Sequence, residues 1–244
     1  MPAERLIPVL KAALVAGLLA GLVMGLFHLV LTEPVIDRAI ALEESGAHSH
    51  EAPMVSRGTQ KGMLIVGSAL YGLLIGIIFA VAFTVMGWRM PGRWPDIRAV
   101  VLAGLMWWSV ALIPFLKYPA NPPGVGEPET VFYRQGLMLG FIALSALAMA
   151  AAGLVYWLLG KRWHHARLQG RWLGVAVVLY GVLATTLLVL MPADSDPVTA
   201  PANLVWQFRI LSLSGQVFFW AVLGGASALL LRRFARQGAL RETG

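Results

Sequence analysis

The sequence predicts an all-α protein, a polytopic membrane helix bundle with six transmembrane helices and both termini in the cytoplasm. The prediction depends on the composition, on six long uncharged stretches, and on the sign of the charge between them. Of the 244 residues, 58% are hydrophobic and 13% are charged, and the mean hydropathy is +0.73. A soluble domain is about a quarter charged. A water-soluble fold of this length has no room to bury so much apolar surface, so lipid must solvate much of the chain.

The uncharged stretches are 18 to 24 residues long, and about 20 residues suffice to cross the hydrocarbon layer as a helix. They lack the alternation of an outer-membrane strand, and a helix satisfies its own backbone groups in lipid. A cleaved signal peptide is the alternative for the first stretch, because Arg5 and Lys11 precede it; its length and the absence of a prompt Ala-x-Ala site favour a span. We therefore expect a single membrane domain over residues 1–244, with spans at 12–31, 63–86, 99–116, 136–159, 172–191 and 210–231.

The loop charges predict the orientation. The side that holds both termini carries 13 Lys and Arg against three acidic residues, whereas the other side carries 6 against 9. Positive loops mark the cytoplasmic face, so the termini are expected inside and the loops 32–62, 117–135 and 192–209 outside. The net charge of +7 then reflects these loops and their contact with the lipid bilayer, not nucleic acid. We expect a multi-pass protein of the inner, or cytoplasmic, membrane.

Several classes of chemistry are disfavoured. The chain has no cysteine, which removes disulfides, thiolate metal sites and iron–sulfur clusters. No nucleotide-binding P-loop, zinc-protease motif or serine-hydrolase motif occurs, so we expect neither an enzyme nor a permanently bound cofactor. None of the six stretches holds Asp, Glu, Lys or Arg, which argues against a proton-coupled pump.

The first candidate metal ligand is His28, about one helical turn inside the outer end of the first span. We expect Pro34 to break the helix, so that Glu33 and Asp37 can meet the imidazole. Imidazole together with carboxylate suits borderline divalent metals such as cobalt, nickel and zinc. The alternative is a hydrogen bond from His28 to a neighbouring helix.

A second candidate lies in the first outer loop, where His48, His50 and Glu51 stand close together. Two imidazoles two residues apart can share one ion, and the nearby carboxylate adds charge. These ligand types do not select one metal, because nickel binds more tightly than cobalt at most such sites. Co²⁺ or Ni²⁺ is therefore the expected substrate, and a solvated loop without bound metal is the alternative.

Other polar residues lie in the outer loops or in the last span. Lys61, Arg134 and Arg209 directly precede spans, where a cation opposes the helix dipole at a cost of about 0.3–1 kcal/mol. Each therefore needs a partner, either a lipid phosphate or one of the carboxylates of Glu127, Glu129, Asp194 and Asp196. We expect a role in the substrate path or in structure for Lys117, Asn121, Glu127, Glu129, Arg134, Arg209 and Gln216.

Three segments resemble the CbtA family of predicted cobalt transporter subunits. They are His28-Leu-Val-Leu-Thr-Glu-Pro34, Pro114-Phe-Leu-Lys-Tyr-Pro-Ala-Asn-Pro-Pro-Gly-Val-Gly-Glu-Pro-Glu129 and Trp206-Gln-Phe-Arg-Ile-Leu-Ser-Leu-Ser-Gly-Gln216. The resemblance runs over nearly the whole chain, and its Lys117–Glu129 part is the most specific. It implies membrane uptake of cobalt linked to cobalamin supply, with a small, single-span, His-bearing partner subunit of the CbtB kind.

Two functions from different classes follow. The chain is a divalent-metal permease, working as a facilitator or with a partner, in which His28 and Gln216 line the path. Alternatively, it is an outer-face metal-binding or scaffold subunit of a membrane complex and does not itself translocate the ion.

Overall fold

The computed structural model describes residues 3–46, 55–87, 90, 95–162, 169–194, 196–198 and 200–242. Within these ranges all regular structure is helical. The helices are α1 (Ala3–Phe27), α2 (Glu33–Gly46), α3 (Arg57–Met86), α4 (Pro95–Met106), α5 (Ile113–Lys117), α6 (Val131–Arg162), α7 (Gln169–Leu190) and α8 (Ala202–Glu242). Two π-helical turns, His28–Thr32 and Trp107–Leu112, join α1 to α2 and α4 to α5, and a 3-10 turn, Pro128–Thr130, precedes α6.

Six helical stretches of the described chain are long and apolar enough to cross a membrane, which confirms the predicted fold class. They are Leu6–Ser45, Arg57–Met86, Pro95–Lys117, Pro128–Lys161, Gly170–Leu190 and Ala202–Phe234. Each is longer than the corresponding uncharged stretch, because the helices continue into segments expected to be loops.

The expected helix break at Pro34 is wrong. Proline removes one backbone donor and its ring crowds the preceding turn, but here the preceding turn is π-helical and the Glu33 N–H donates to the carbonyl of His28. The wider turn accommodates the proline, and α2 continues beyond it. The same arrangement precedes Pro114, where the Ile113 N–H donates to the carbonyl of Trp108.

The described chain divides into two compact units. Unit 1 comprises Met1–Gly104, Asn121–Gly124 and Ala200–Gly244, and unit 2 comprises Leu105–Ala120 and Val125–Thr199. A single membrane domain over the whole chain therefore stays a prediction.

In unit 1, α1 and α3 pack with their backbones in contact. A Cβ atom added at Gly17 would overlap the carbonyl oxygen of Gly72, and one at Gly21 would overlap that of Ser68. Small residues allow this close approach in membrane helices. Helix α8 packs on α1 and contributes the fully buried Phe219 and Leu223 to the core.

Helix α2 is amphipathic, which explains why it stays helical beyond the apolar span. Its buried Val35 and Ala39 pack against Leu204 of α8. The carboxylates of Glu33 and Asp37 project from another side of α2 and bond to residues of α3.

In unit 2, α6 and α7 pack through small residues, with Ala148 and Ala152 on α6 and Ala176 on α7. Tyr180 adds a polar contact, because its hydroxyl lies 3.3 Å from the hydroxyl of Ser145. Hydrogen bonds between buried side chains of this kind hold membrane helices together.

Candidate functional site

Four charged side chains meet at one end of unit 1, and we call Glu33, Asp37, Arg57 and Lys61 the charged cluster. Residues four apart lie on one face of a helix, so α2 presents both carboxylates and α3 presents both bases. The Arg57 Nη2 atom lies 2.6 Å from Glu33 Oε2 and 2.6 Å from Asp37 Oδ1. The Lys61 Nζ atom lies 2.8 Å from Asp37 Oδ2 and 3.9 Å from Glu33 Oε2.

The charged cluster also explains how two bases are tolerated at the start of α3. Ser56 caps this helix by accepting a hydrogen bond from the Thr59 N–H. Cations near the same end oppose the helix dipole, and the carboxylates of α2 offset that effect. Lys61 thus pairs with carboxylates, as expected, but with Asp37 and Glu33 of α2.

A second group of polar residues lies deeper among the apolar helices of unit 1; we call His28, Thr32, Tyr71 and Gln216 the interior polar group. The His28 Nδ1 atom lies 2.8 Å from Thr32 Oγ1. The other ring nitrogen, Nε2, lies against the backbone of Gly215 on α8, where an added Cβ atom would overlap it. The imidazole is thus fixed from two sides, by a hydroxyl and by a helix backbone.

Gln216 follows Gly215 and lies close to Tyr71 of α3. Its Oε1 atom is buried and has no hydrogen-bond partner among the described residues. Buried polar atoms are nearly always bonded, so an unbonded carbonyl oxygen at this depth is available to a ligand.

The structure brings some of the predicted ligands together and separates others. Glu33 and Asp37 are neighbours, but in the described chain both bond to bases and neither bonds to His28. The described residues contain no group of three or more His, Asp or Glu side chains placed to hold a metal ion. His48, His50 and Glu51 lie outside the described residues.

Lys117 binds the end of α7 in unit 2. Its Nζ donates to the carbonyl of Leu188 at 2.9 Å, and the neighbouring Tyr118 hydroxyl donates to the carbonyl of Pro192 at 2.6 Å. A helix leaves its last carbonyls unsatisfied and favours a cation there. Lys117 therefore has a structural role in capping α7.

Asp196 binds the start of α6, also in unit 2. It accepts hydrogen bonds from the Thr130 hydroxyl at 2.5 Å and the Glu127 N–H at 3.0 Å, and its Oδ2 lies 3.2 Å from Arg134 Nε. The Thr130 hydrogen bond is the main cause of a lowered pKa of Asp196, and the Glu127 N–H and the Arg134 charge act in the same direction. This confirms a carboxylate partner for Arg134. The side chains of Glu127 and Glu129 are exposed.

Asn121 and Arg209 meet in unit 1, where Arg209 Nη2 donates to Asn121 Oδ1 at 2.7 Å. The expectation that the last span begins just after Arg209 is wrong, because α8 begins at Ala202 and places Arg209 two turns inside the helix. Nearby, Arg38 of α2 donates to Gln207 of α8 at 2.7 Å.

Sequence reasoning missed Arg57, Tyr71 and Gly215. Ser56 before Arg57 is a helix N-cap signal and could have placed the start of α3, hence Arg57, near the acidic residues. Nothing in the sequence marks Tyr71 or Gly215, because their roles depend on how α3 and α8 are rotated.

Six apolar helices, with polar side chains enclosed among the helices of unit 1, define a multi-pass membrane protein. The chain belongs to the CbtA family: the family model described as a probable cobalt transporter subunit (CbtA) matches residues 7–232. The match covers nearly the whole chain and confirms the resemblance drawn from the three sequence segments. No curated protein and no solved structure matches the chain.

Proposed function

We propose that the chain carries Co²⁺ inward across the cytoplasmic membrane, in support of cobalamin supply, as one subunit of a transport system. The family description supports cobalt as the substrate. The direction follows the loop charges, which favour cytoplasmic termini and would place the charged cluster on the outside. Exposed carboxylates there, including Glu127 and Glu129, attract divalent cations, and His48, His50 and Glu51 would capture them.

The observation that carries the proposal is the fixed orientation of His28. When Nδ1 holds the proton and donates it to Thr32, Nε2 is the unprotonated nitrogen, and this is the form of imidazole nitrogen that binds a metal ion. Metal-binding histidines are commonly oriented by such a hydrogen bond from the other ring nitrogen. Imidazole is also a preferred ligand of borderline divalent metals.

Gln216 would supply a neutral oxygen beside His28. Its free Oε1 belongs to the residue next to Gly215, against which His28 Nε2 lies. Two neutral ligands bind less strongly than a set with carboxylates, and conduction requires that an ion can also leave. The interior polar group thus suits transient binding of Co²⁺.

The packing of unit 1 favours a subunit over a self-sufficient channel. Beyond the interior polar group, away from the charged cluster, α1 and α3 are in backbone contact at Gly17 and Gly72. Phe219 packs against Tyr71 of the interior polar group, with the ring centroids 5.2 Å apart, and Phe79 is buried on α3. An ion that reaches Gln216 could therefore pass only if the helices move. We propose that a small single-span partner subunit promotes this movement.

Co²⁺ flux into proteoliposomes tests the proposal, with the chain reconstituted alone and with its partner. We expect His28→Ala to reduce initial flux at least about tenfold, since one lost metal ligand affects affinity strongly. Gln207→Ala is the matched control, because it removes a polar contact of α8 outside the interior polar group. Full flux through a well-folded His28→Ala protein would exclude this route. Metal binding without flux, with or without the partner, would favour the scaffold function.

A further inference from the structure

We infer that one face of α8 binds a row of buried water molecules and forms the inward part of the ion route. The face carries Gln216, Trp220 and Ser227, and we call these three side chains the α8 polar row. The inference depends on the proposed function for the identity of the ion. It goes further by assigning a route beyond Gln216, where the interior polar group ends.

The α8 polar row contains three buried polar atoms that have no hydrogen-bond partner among the described residues. They are Gln216 Oε1, Trp220 Nε1 and Ser227 Oγ. Trp220 is 3% exposed and Ser227 is 1% exposed, so neither side chain is solvated at the protein surface. Buried polar groups are nearly always bonded, either to the protein or to ordered water. Three unbonded groups on one helix therefore point to a small ligand that reaches all of them.

The three side chains lie on the same side of α8. A helix turns by about 100° per residue, so their spacing of four and seven residues places them within about 40° of one another around the axis. Leu223, on the same side, is fully buried, whereas Phe218 and Leu229 on the opposite side are exposed. Gly224 packs against Ala103 of α4, where an added Cβ atom would lie 2.7 Å from the alanine Cβ. The α8 polar row therefore faces the protein interior and not lipid.

Ser227 differs from other hydroxyl residues of the spans. A serine or threonine inside a helix often donates to the carbonyl four residues earlier. Such bonds are formed by Thr84, Ser109 and Thr186. Ser227 makes no such bond in the described chain, so its hydroxyl is available to a ligand outside its own helix.

Water is the ligand that fits these groups. The Gln216 oxygen needs a donor and the Trp220 N–H needs an acceptor, and one water molecule supplies both. Residues four apart have Cβ atoms about 5–6 Å apart, which is the span of a bridging water with two hydrogen bonds of about 2.9 Å. Ser227 lies about 10 Å further along the axis and requires at least one more water. A bare metal ion does not fit, because the Trp220 N–H is a donor only.

The α8 polar row connects the interior polar group with the end of α8 that carries Arg232 and Arg233. From Gln216 to Ser227 the helix rises about 16 Å, which is about half of the hydrocarbon layer. Polar groups inside spans commonly line the ion routes of transporters. Water along this face would hydrate Co²⁺ after it leaves His28, so the ion would not meet bare hydrocarbon. The helix movement proposed above would widen this route.

The sign of a stability change tests for the water. If Ser227 Oγ bonds to buried water, Ser227→Ala loses that bond and lowers the unfolding temperature of the purified full chain. An unsatisfied hydroxyl carries a desolvation penalty, so its removal would raise the unfolding temperature instead. We expect a decrease. Ser109→Ala is the matched control, because Ser109 is also buried but bonds to its own helix, and it calibrates the loss of a satisfied hydroxyl. An unchanged or higher unfolding temperature for Ser227→Ala would overturn the inference.

Radiolytic footprinting of the unaltered chain detects the water without a mutation. Hydroxyl radicals formed from buried water oxidise the side chains beside it, and mass spectrometry measures the oxidation. We expect Trp220 to be oxidised several-fold faster than Phe141, which is fully buried in unit 2, after correction for the intrinsic reactivity of each ring. Equal corrected rates would show that no water lies beside the indole and would refute the inference.

Co²⁺ flux and Co²⁺ binding together test whether the α8 polar row lies on the route. Trp220→Phe keeps an aromatic ring but removes the N–H, so it should reduce initial flux into proteoliposomes several-fold and leave equilibrium affinity unchanged. Ser109→Ala should change neither. Wild-type flux through a well-folded Trp220→Phe protein, or flux through a chain whose α8 polar row is dry, would overturn this inference alone. A hydrated row in a chain that carries no Co²⁺, with or without a partner, would contradict the proposed function and leave the water sites standing.

Discussion

The Nε2 atom of His28 lies directly against the backbone of Gly215, a residue that follows it by more than 180 positions in the chain. Only a residue without a Cβ atom leaves room for the imidazole at this point of α8. Gly215 is followed by Gln216, whose Oε1 is buried and unbonded in the described chain. Gly215 thus determines where His28 can present its lone pair.

Replacing Gly215 by alanine should displace His28 without changing any of the proposed metal ligands. The added methyl group would overlap Nε2 and Cε1, and such overpacking typically costs about 1–3 kcal/mol. We expect initial Co²⁺ flux to fall several-fold while the protein still inserts in the membrane. Flux and thermal unfolding of the same preparation would measure both effects.

Gly225→Ala is the control for this substitution, because a Cβ atom at Gly225 meets no atom within 4 Å. It lies on the same helix and should leave flux and stability unchanged. If Gly215→Ala transports Co²⁺ as well as Gly225→Ala, the position of His28 against α8 has no bearing on transport.

Thr32→Val should weaken Co²⁺ binding at His28 by about 10–100-fold, the range typical for loss of a residue that orients a metal ligand. Valine matches the shape of threonine but cannot bond to Nδ1, so the imidazole loses its fixed orientation. Thr32→Ser keeps the hydroxyl and should restore most of the affinity. Equal Co²⁺ affinity of the valine and serine variants would show that the 2.8 Å contact between His28 and Thr32 does not orient the imidazole for metal binding.

The six spans could be predicted because the free energy of a helix in lipid depends on the length and apolar composition of its segment. Both properties can be read from the segment alone. The sequence also led to the expectation that Glu33 and Asp37 meet His28, since all three lie within ten residues, but in the described chain both carboxylates bond to bases of α3. It could not assign the partner of those carboxylates: Arg57 comes twenty residues after Asp37 and meets it through the packing of α3 on α1. The continuation of the helix past Pro34 was missed for a similar reason, since a π-helical turn has no reliable sequence signal.

Unit 2 should be less stable in acid than at neutral pH, because the stabilising bonds of ionised Asp196 are lost when its carboxylate is protonated. The pKa of Asp196 is lowered in the folded protein by Thr130, Glu127 and Arg134, whereas the pKa of an aspartate in an unfolded chain is about 3.9. The stabilisation is therefore complete above about pH 5 and is lost as the pH falls through the lower folded-state pKa. Asp196→Asn should reduce the unfolding temperature at pH 7, and its difference from wild type should shrink toward pH 2. Asp194→Asn is the control, and a pH-independent effect of Asp196→Asn would contradict the assignment.

Cysteine labelling should establish the orientation in the membrane. The chain has no cysteine of its own, so single substitutions are labelled without background. In intact cells, Ser45→Cys and Gly124→Cys should react with an impermeant reagent, whereas Gln169→Cys should react only after lysis. Labelling of the Gln169 variant from outside would reverse the assignment of the charged cluster to the outer face, and with it the proposed direction of transport.

The first outer loop should bind Co²⁺ in a pH-dependent manner through His48 and His50. Imidazole binds metal only when it is neutral, and its unperturbed pKa is about 6.5. Binding to the purified chain should therefore weaken as the pH is lowered from about 7.5 to 5.5. His48→Ala with His50→Ala should remove most of that dependence and leave the binding that His28 provides. The matched control is His164→Ala with His165→Ala, which removes two imidazoles from a loop that the charge pattern assigns to the cytoplasm. If both double variants change the pH dependence of Co²⁺ binding equally, His48 and His50 do not form a specific metal site. The exposed carboxylates of Glu127 and Glu129 would then be the better candidates for binding the ion at the outer face.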